Sequence, residues 1–221
     1  MVDVMKSDEE QAEVVKKWLR ENGGSLLTGL LLGLALLFGG KAWFQYQHRQ
    51  AEAASNQYVQ LALAVQRNDE QQAVAFHEAL LKEHSGSVYA VLAALQMARL
   101  QLALNKPDAA QAQLAWALEH AQEDPHRHLA RLRLARVQIA LQKPDEALDL
   151  LGKVKEEGPW RSLYEEVRGD AALASARYGA AREHYREALA ALPAESPART
   201  LLEAKRDDTL RVSASEAPKP E

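Results

Sequence analysis

Histidines and paired acids are the side chains in this sequence that chemistry would have to use, and their spacing does not assemble a reactive centre. Seven histidines occur, but His126 and His128 lack a third ligand nearby, and Glu119-His120 has no partner histidine at metal spacing. H-E-x-x-H, which would set two ligands and a general base on one helix face, is absent. So are the nucleophile elbow G-x-S-x-G, the phosphate loop and the dinucleotide glycine pattern. The chain has no cysteine, so disulfides, thiol nucleophiles and thiolate metal sites fall away together. All the histidines therefore read as solvated surface residues, and Glu156-Glu157 and Glu165-Glu166 as solvated helix faces. Arg168-Gly169-Asp170 spells an adhesion tripeptide, yet it falls inside a helical stretch where its glycine serves packing. No enzyme, cofactor or metal site is expected. What remains is binding chemistry, and its location depends on the elements that carry it.

Those elements are helices. Alanine and leucine dominate, β-branched and aromatic residues are sparse, and straight-chain residues lose little rotamer freedom in a helix. The formal charge of −4, without any block of lysine or arginine, removes the electrostatic footprint of a nucleic-acid binder. Short turn signals at Arg67-Asn68-Asp69, Ser85-Gly86, Asn105-Lys106-Pro107-Asp108, Asp124-Pro125, Lys143-Pro144-Asp145 and Gly158-Pro159 divide the chain into antiparallel helix hairpins.

Three hairpins superpose. Pro107, Pro144 and Tyr178 open equivalent second helices at separations of 37 and 34 residues, and proline suits a first helical position because its missing amide would be unpaired there anyway. Ala110, Ala147 and Ala181 follow, then Leu114, Leu151 and Tyr185 four residues on. Ala98, Ala135 and Gly169 stand twelve residues before each alanine. Small residues at two helix crossings beside one large side chain resemble the tetratricopeptide (TPR) pattern, whose period is about 34. A degenerate unit is expected over residues 47–84, and a capping helix over 196–211. In this register Leu92, Leu95, Arg99 and Leu102 form the groove-facing side of one first helix, with Leu129, Leu132, Arg136 and Ile139 on the next. Leu163, Glu166, Asp170 and Leu173 form it on the third. Such a stripe would suit apolar peptide segments, unless a terminal helix fills it or the register is off by one residue.

Ahead of the repeats, nineteen uncharged residues lie between Glu21 and Lys41, eight of them leucine. As a helix they extend about 29 Å, against a bilayer hydrocarbon core of about 30 Å. A cleaved signal peptide and a buried core helix would pass the same length test. The leader is long and carries Asp8, Glu9, Glu10 and Glu13, whereas a signal peptide's leader is short and basic. The expected order is a leader with a short amphipathic helix over 1–23, opened by a Ser7–Glu10 capping box, then a span over 24–44. The repeat domain would fill 45–211 and a disordered tail 212–221. Lys6, Lys16, Lys17 and Arg20 precede the span while Lys41 and Arg49 follow closely, which places the N-terminus in the cytoplasm and the repeats across the membrane. Gly29, Gly33 and Gly40 share one face of the span, either as a seam for another membrane helix or as tolerated glycines.

The whole layout resembles the YfgM family, the ancillary subunit of the SecYEG translocon. The resemblance runs from about residue 7 to 211. It rests on the acidic leader with Trp18, on Gly29, Gly33 and Leu34-Ala35-Leu36, on Arg168-Gly169-Asp170 with Ala181-Arg182, and on Leu201-Leu202-x-x-Lys205-x-Asp207-Asp208. Arg206 and Thr209 depart from the apolar residues expected there. The resemblance implies an all-α, single-pass protein of a bacterial inner membrane with a TPR-like periplasmic domain and no catalytic residues. Its implied partners are the translocon, membrane lipid, translocating polypeptides and periplasmic chaperones, among them a membrane-anchored peptidyl-prolyl isomerase. The alternative is a structural scaffold that organises an envelope complex without binding unfolded clients.

Overall fold

In a computed structural model of the chain, residues 8–215 are described, with side chains for residues 11–210. Two compact units divide at Glu52 and Ala53. Among the described residues there are helices and one 3-10 turn, and no strand.

The described residues of the first unit are all helical, within α1 (Asp8–Gln66). A separate amphipathic helix over the leader does not form, because α1 runs without a break through Asn22-Gly23-Gly24 and Gly39-Gly40. The Thr28 hydroxyl donates to the Gly24 carbonyl at 2.8 Å and the Asn22 amide to Trp18 at 3.0 Å, so polar side chains at the glycine pair turn back onto the helix. The Ser7 end of the expected capping box lies outside the described residues. From Leu26 to Phe38 the large apolar side chains point outward on every side, Leu36 being 77% and Phe38 69% exposed. The helix is long and apolar enough to cross a membrane. Exposed on all faces, that much apolar surface has its natural environment in hydrocarbon.

The second unit is a run of hairpins. The end of α1 from Ala53 pairs with α2 (Glu70–His84), α3 (Val88–Ala103) with α4 (Pro107–His120), α5 (Asp124–Ala140) with α6 (Pro144–Gly152), and α7 (Arg161–Ala174) with α8 (Tyr178–Ala191). A 3-10 turn at Gly158–Trp160 enters α7, and α9 (Ala198–Ser215) closes the series. The expected capping helix thus begins at Ala198 and continues to Ser215, into the stretch expected to be disordered; residues 216–221 lie outside the described ones.

Each first helix ends in the same way. Asn68, Asn105, Gln142 and Ala176 take positive φ, between 55° and 60°. The next amide in each case bonds the carbonyl five residues back, as Lys106 does to Gln101 at 2.8 Å and Arg177 to Ala172 at 2.8 Å. This Schellman closure satisfies carbonyls the helix end would otherwise leave unpaired and reverses the chain into the next helix.

The repeat-packing positions are buried. Ala98, Ala110 and Leu114 belong to one core cluster, Ala135, Ala147 and Leu151 to a second, and Ala181 and Tyr185 to a third. Gly169 lies against the Tyr185 ring so closely that an added Cβ would stand 2.5 Å from Cε1. Arginines tie consecutive hairpins together. Arg127 of α5 donates to the Ala121 and Gln122 carbonyls after α4, Arg168 of α7 to Leu151 in α6, and Arg199 of α9 to Leu189 and Leu192 at the end of α8.

Candidate binding site

The inner side of α3 turns Leu95, Ala98, Arg99 and Leu102 toward the Arg133, Arg136, Val137 and Ala140 side of α5. With Leu114 of α4 as part of the floor, they enclose an open cavity of about 410 Å³. Its floor is apolar because Ala98 and Ala140 leave room between leucines and Val137. Its rim is cationic. Partial desolvation of its largely exposed side chain, then the like charges of Arg136 and Arg99, pull the Arg133 guanidinium below its ordinary range. It stays charged, since arginine does not lose its proton in proteins.

The third first helix is closed where the other two are open. On α7, Glu166 and Asp170 receive Lys205 of α9 at 2.7 and 2.8 Å, and the Tyr185 hydroxyl donates to Asp170 at 2.8 Å. Burial pulls the Lys205 ammonium down, but its bonds to Asp170 and Glu166 outweigh that and raise it above its ordinary value. Burial and the Asp170 charge push the Tyr185 hydroxyl far up. Arg136 lies 3.7 Å from Glu166, at the edge between the open and closed parts.

The structure brings Leu95, Arg99, Leu102 and Arg136 together at the cavity and separates the other stripe residues. Leu92 and Leu129 pack half-buried on the first core cluster. Leu132, 1% exposed, is a core residue between α5 and α7, and Ile139 leans on the same cluster, so neither faces the groove. Leu163 is 38% exposed outside the cavity, and Leu173 packs against the last cluster. On α5 the open face is shifted by one residue: Leu132 and Ile139 are replaced by Arg133 and Ala140. Helical spacing from Leu129 gives residues 133, 136 and 140, but the leucines draw the eye to 132. Gly29, Gly33 and Gly40 have open space around them, with nothing within 4 Å of an added Cβ.

The titratable groups are less solvated than their types suggest. His77 is 4% exposed with Nε2 unpaired, and burial lowers its pKa. His128 Nδ1 lies 2.8 Å from the Tyr164 hydroxyl, and His184 Nδ1 lies 2.8 Å from Glu165. Glu165 is buried, not part of a solvated face; Arg168 joins it at 2.6 Å and Glu157 at 2.5 Å. These contacts cross-link α7 to α5, to α8 and to the turn before it.

A family model described as a tetratricopeptide repeat-like domain matches residues 16–210. The ancillary SecYEG translocon subunit of Escherichia coli K12 is 31% identical over 172 residues, covering 78% of this chain and 82% of that protein. Its counterpart of the same description in Haemophilus influenzae is 32% identical over 181 residues, covering 82% and 88%. Among solved structures, the TPR-like repeats of a Podospora anserina kinesin light chain superpose with a TM-score of 0.57 at 19% identity, over 75% of this chain and 89% of that one. MamA of Desulfovibrio magneticus superposes with a TM-score of 0.51 at 14% identity, over 76% and 98%. These two share the fold alone. With hairpins, packing positions and relatives in agreement along most of its length, the chain belongs to the TPR-like YfgM family, whose E. coli and H. influenzae members are ancillary SecYEG translocon subunits.

Proposed function

We propose that this protein is a membrane-anchored adaptor. The α1 span holds it beside the Sec translocon in a bacterial inner membrane, with the N-terminus cytoplasmic and the repeats in the periplasm. The repeats take polypeptides as they emerge and pass them to periplasmic chaperones, including a membrane-anchored peptidyl-prolyl isomerase. Binding carries the function, without catalysis or nucleic acid. The observation that supports this reading is the open 410 Å³ cavity on α3 and α5, an apolar floor left uncovered in a molecule whose relatives are translocon subunits. Exposed apolar concavities of this kind receive side chains of partner segments.

A photo-crosslinking amino acid at Leu102, 45% exposed at the cavity edge, provides the test in native membranes. Adducts with newly exported chains and with chaperones are expected. Adducts confined to one fixed membrane complex would instead support a scaffold that organises an envelope assembly. The closure of the α7 station by Lys205 favours that second reading, since it shortens the open surface to two hairpins.

A further inference from the structure

The rim of the cavity carries more positive charge than its surroundings neutralise. The chain as a whole has a formal charge of −4, yet Arg99, Arg133 and Arg136 converge on one apolar depression. Among the described residues Arg99 and Arg133 have no ion-pair partner, and Arg136 has only Glu166 at 3.7 Å. The carboxylates that could have neutralised them are engaged elsewhere, since Glu166 and Asp170 are both held by Lys205 at 2.7 and 2.8 Å. Like charges gathered beside apolar surface repel one another, and a carboxylate docked there would relieve the repulsion.

We propose that the cavity between α3 and α5 selects polypeptide segments in which an aspartate or glutamate stands beside apolar side chains. The carboxylate is taken by Arg99, Arg133 and Arg136, and the apolar side chains enter over Leu95, Leu102 and Val137. This deepens the adaptor reading and rests on it. Guanidinium groups suit the role because their planar fork of donors matches a carboxylate, while the stems add apolar cover. A polypeptide fits better than a lipid: about 410 Å³ holds a few side chains and is too small for the paired acyl chains of a bilayer lipid.

The test uses the full chain in phosphatidylcholine nanodiscs and fluorescence anisotropy. The probe is a fluorescein-labelled, C-terminally amidated 12-residue peptide with leucines at helical spacing and two glutamates, set beside versions with glutamine or lysine at those two positions. Amidation removes the terminal carboxylate, so only side-chain charge differs. The glutamate peptide is expected to bind about tenfold more tightly than the glutamine peptide, with the advantage shrinking as salt is raised. Arg99→Gln with Arg133→Gln should bring that ratio close to one and leave the weaker glutamine-peptide binding in place. Because both side chains are exposed, the fold should persist, as circular dichroism would verify. Arg99→Glu with Arg133→Glu should turn the preference toward the lysine peptide, which no unfolded variant would do. Equal binding of glutamate and glutamine peptides by the unaltered chain overturns the selection while sparing the adaptor reading. Failure to bind any peptide overturns both. A preference that survives in both variants, or that disappears when the nanodiscs contain phosphatidylglycerol, removes the arginines from peptide recognition, the second result assigning them to lipid headgroups.

Discussion

Gly169 and Gly179, ten residues apart on adjacent helices, are both glycines in helix positions but occupy opposite environments. At Gly169 a Cβ would press into the Tyr185 ring at 2.5 to 3.0 Å, and that ring is fully buried and held through its hydroxyl by Asp170. Gly169→Ala should therefore cost about 1–2 kcal/mol net, overpacking outweighing the better helix propensity of alanine. Gly179→Ala, with open space around it, should stabilise by about 0.5–1 kcal/mol. Urea unfolding of both variants checks the pair, and equal signs would contradict the packing account. His77 gives a second residue-scale expectation. Burial lowers its pKa in the fold, with Glu78 opposing only in part, and an unfolded histidine titrates near 6.5. As pH falls, the unfolded chain takes up that proton first. The stabilising share of a neutral His77 is thus complete above the unfolded value and is lost between it and the depressed folded one. His77→Leu should flatten the decline in urea midpoint between pH 7 and 5, leaving the part due to His128, whose pKa is lowered mainly by its own burial. An unchanged slope would exclude His77 as a source of acid sensitivity.

At the scale of elements, what punctuates the helices is local chemistry, and that is why it was legible. Proline at the start of α4 and α6 and asparagine at the left-handed turn positions Asn68 and Asn105 announce hairpins without reference to distant residues. The fourth turn breaks the pattern with Ala176, at φ 56°, where its Cβ is strained against the backbone. Ala176→Gly should raise stability by roughly 1 kcal/mol, and Asn105→Ala should lower it, both read as shifts of the thermal midpoint. If Ala176→Gly had no effect, the turn would not be under strain. Less legible was everything that depends on how helices rotate against each other. On α5 a leucine at residue 132 and an arginine at residue 133 offer two registers that differ by one step, and only packing against α6 and α7 decides that Leu132 goes inward. The Lys205 bonds that close the α7 station join residues 35 and 39 positions apart, and no local signal marks them. Nor did Asn22-Gly23-Gly24 interrupt α1, although paired glycines read as a break, because glycine only weakens a helix by about 1 kcal/mol and neighbouring turns sustain it.

For the molecule as a whole, the two compact units suggest a division of labour that can be tested with surface changes alone. The span exposes Gly29, Gly33 and Gly40 with free space beside them, where a second membrane helix could approach closely. The cavity lies wholly within the other unit, on α3, α4 and α5. Under the adaptor proposal, tethering through the unbroken α1 raises the effective concentration of the cavity at the membrane, so a weak cavity suffices and can release what it holds. Gly29→Leu with Gly33→Leu should weaken copurification with membrane partners and leave peptide binding by the repeats unchanged. The complementary change has to spare the core. Leu95 and Leu132 are 4% and 1% exposed, and a charge at either would unfold the domain rather than inform about binding, since a buried unpaired carboxylate costs several kcal/mol. Leu102, 45% exposed at the cavity edge, accepts an aspartate without that penalty. Leu102→Asp should reduce crosslinking to exported chains several-fold while membrane copurification persists. If the glycine and Leu102 variants lost the same partners to the same extent, span and repeats would be gripping one complex together, and a scaffold would be the better description of this protein.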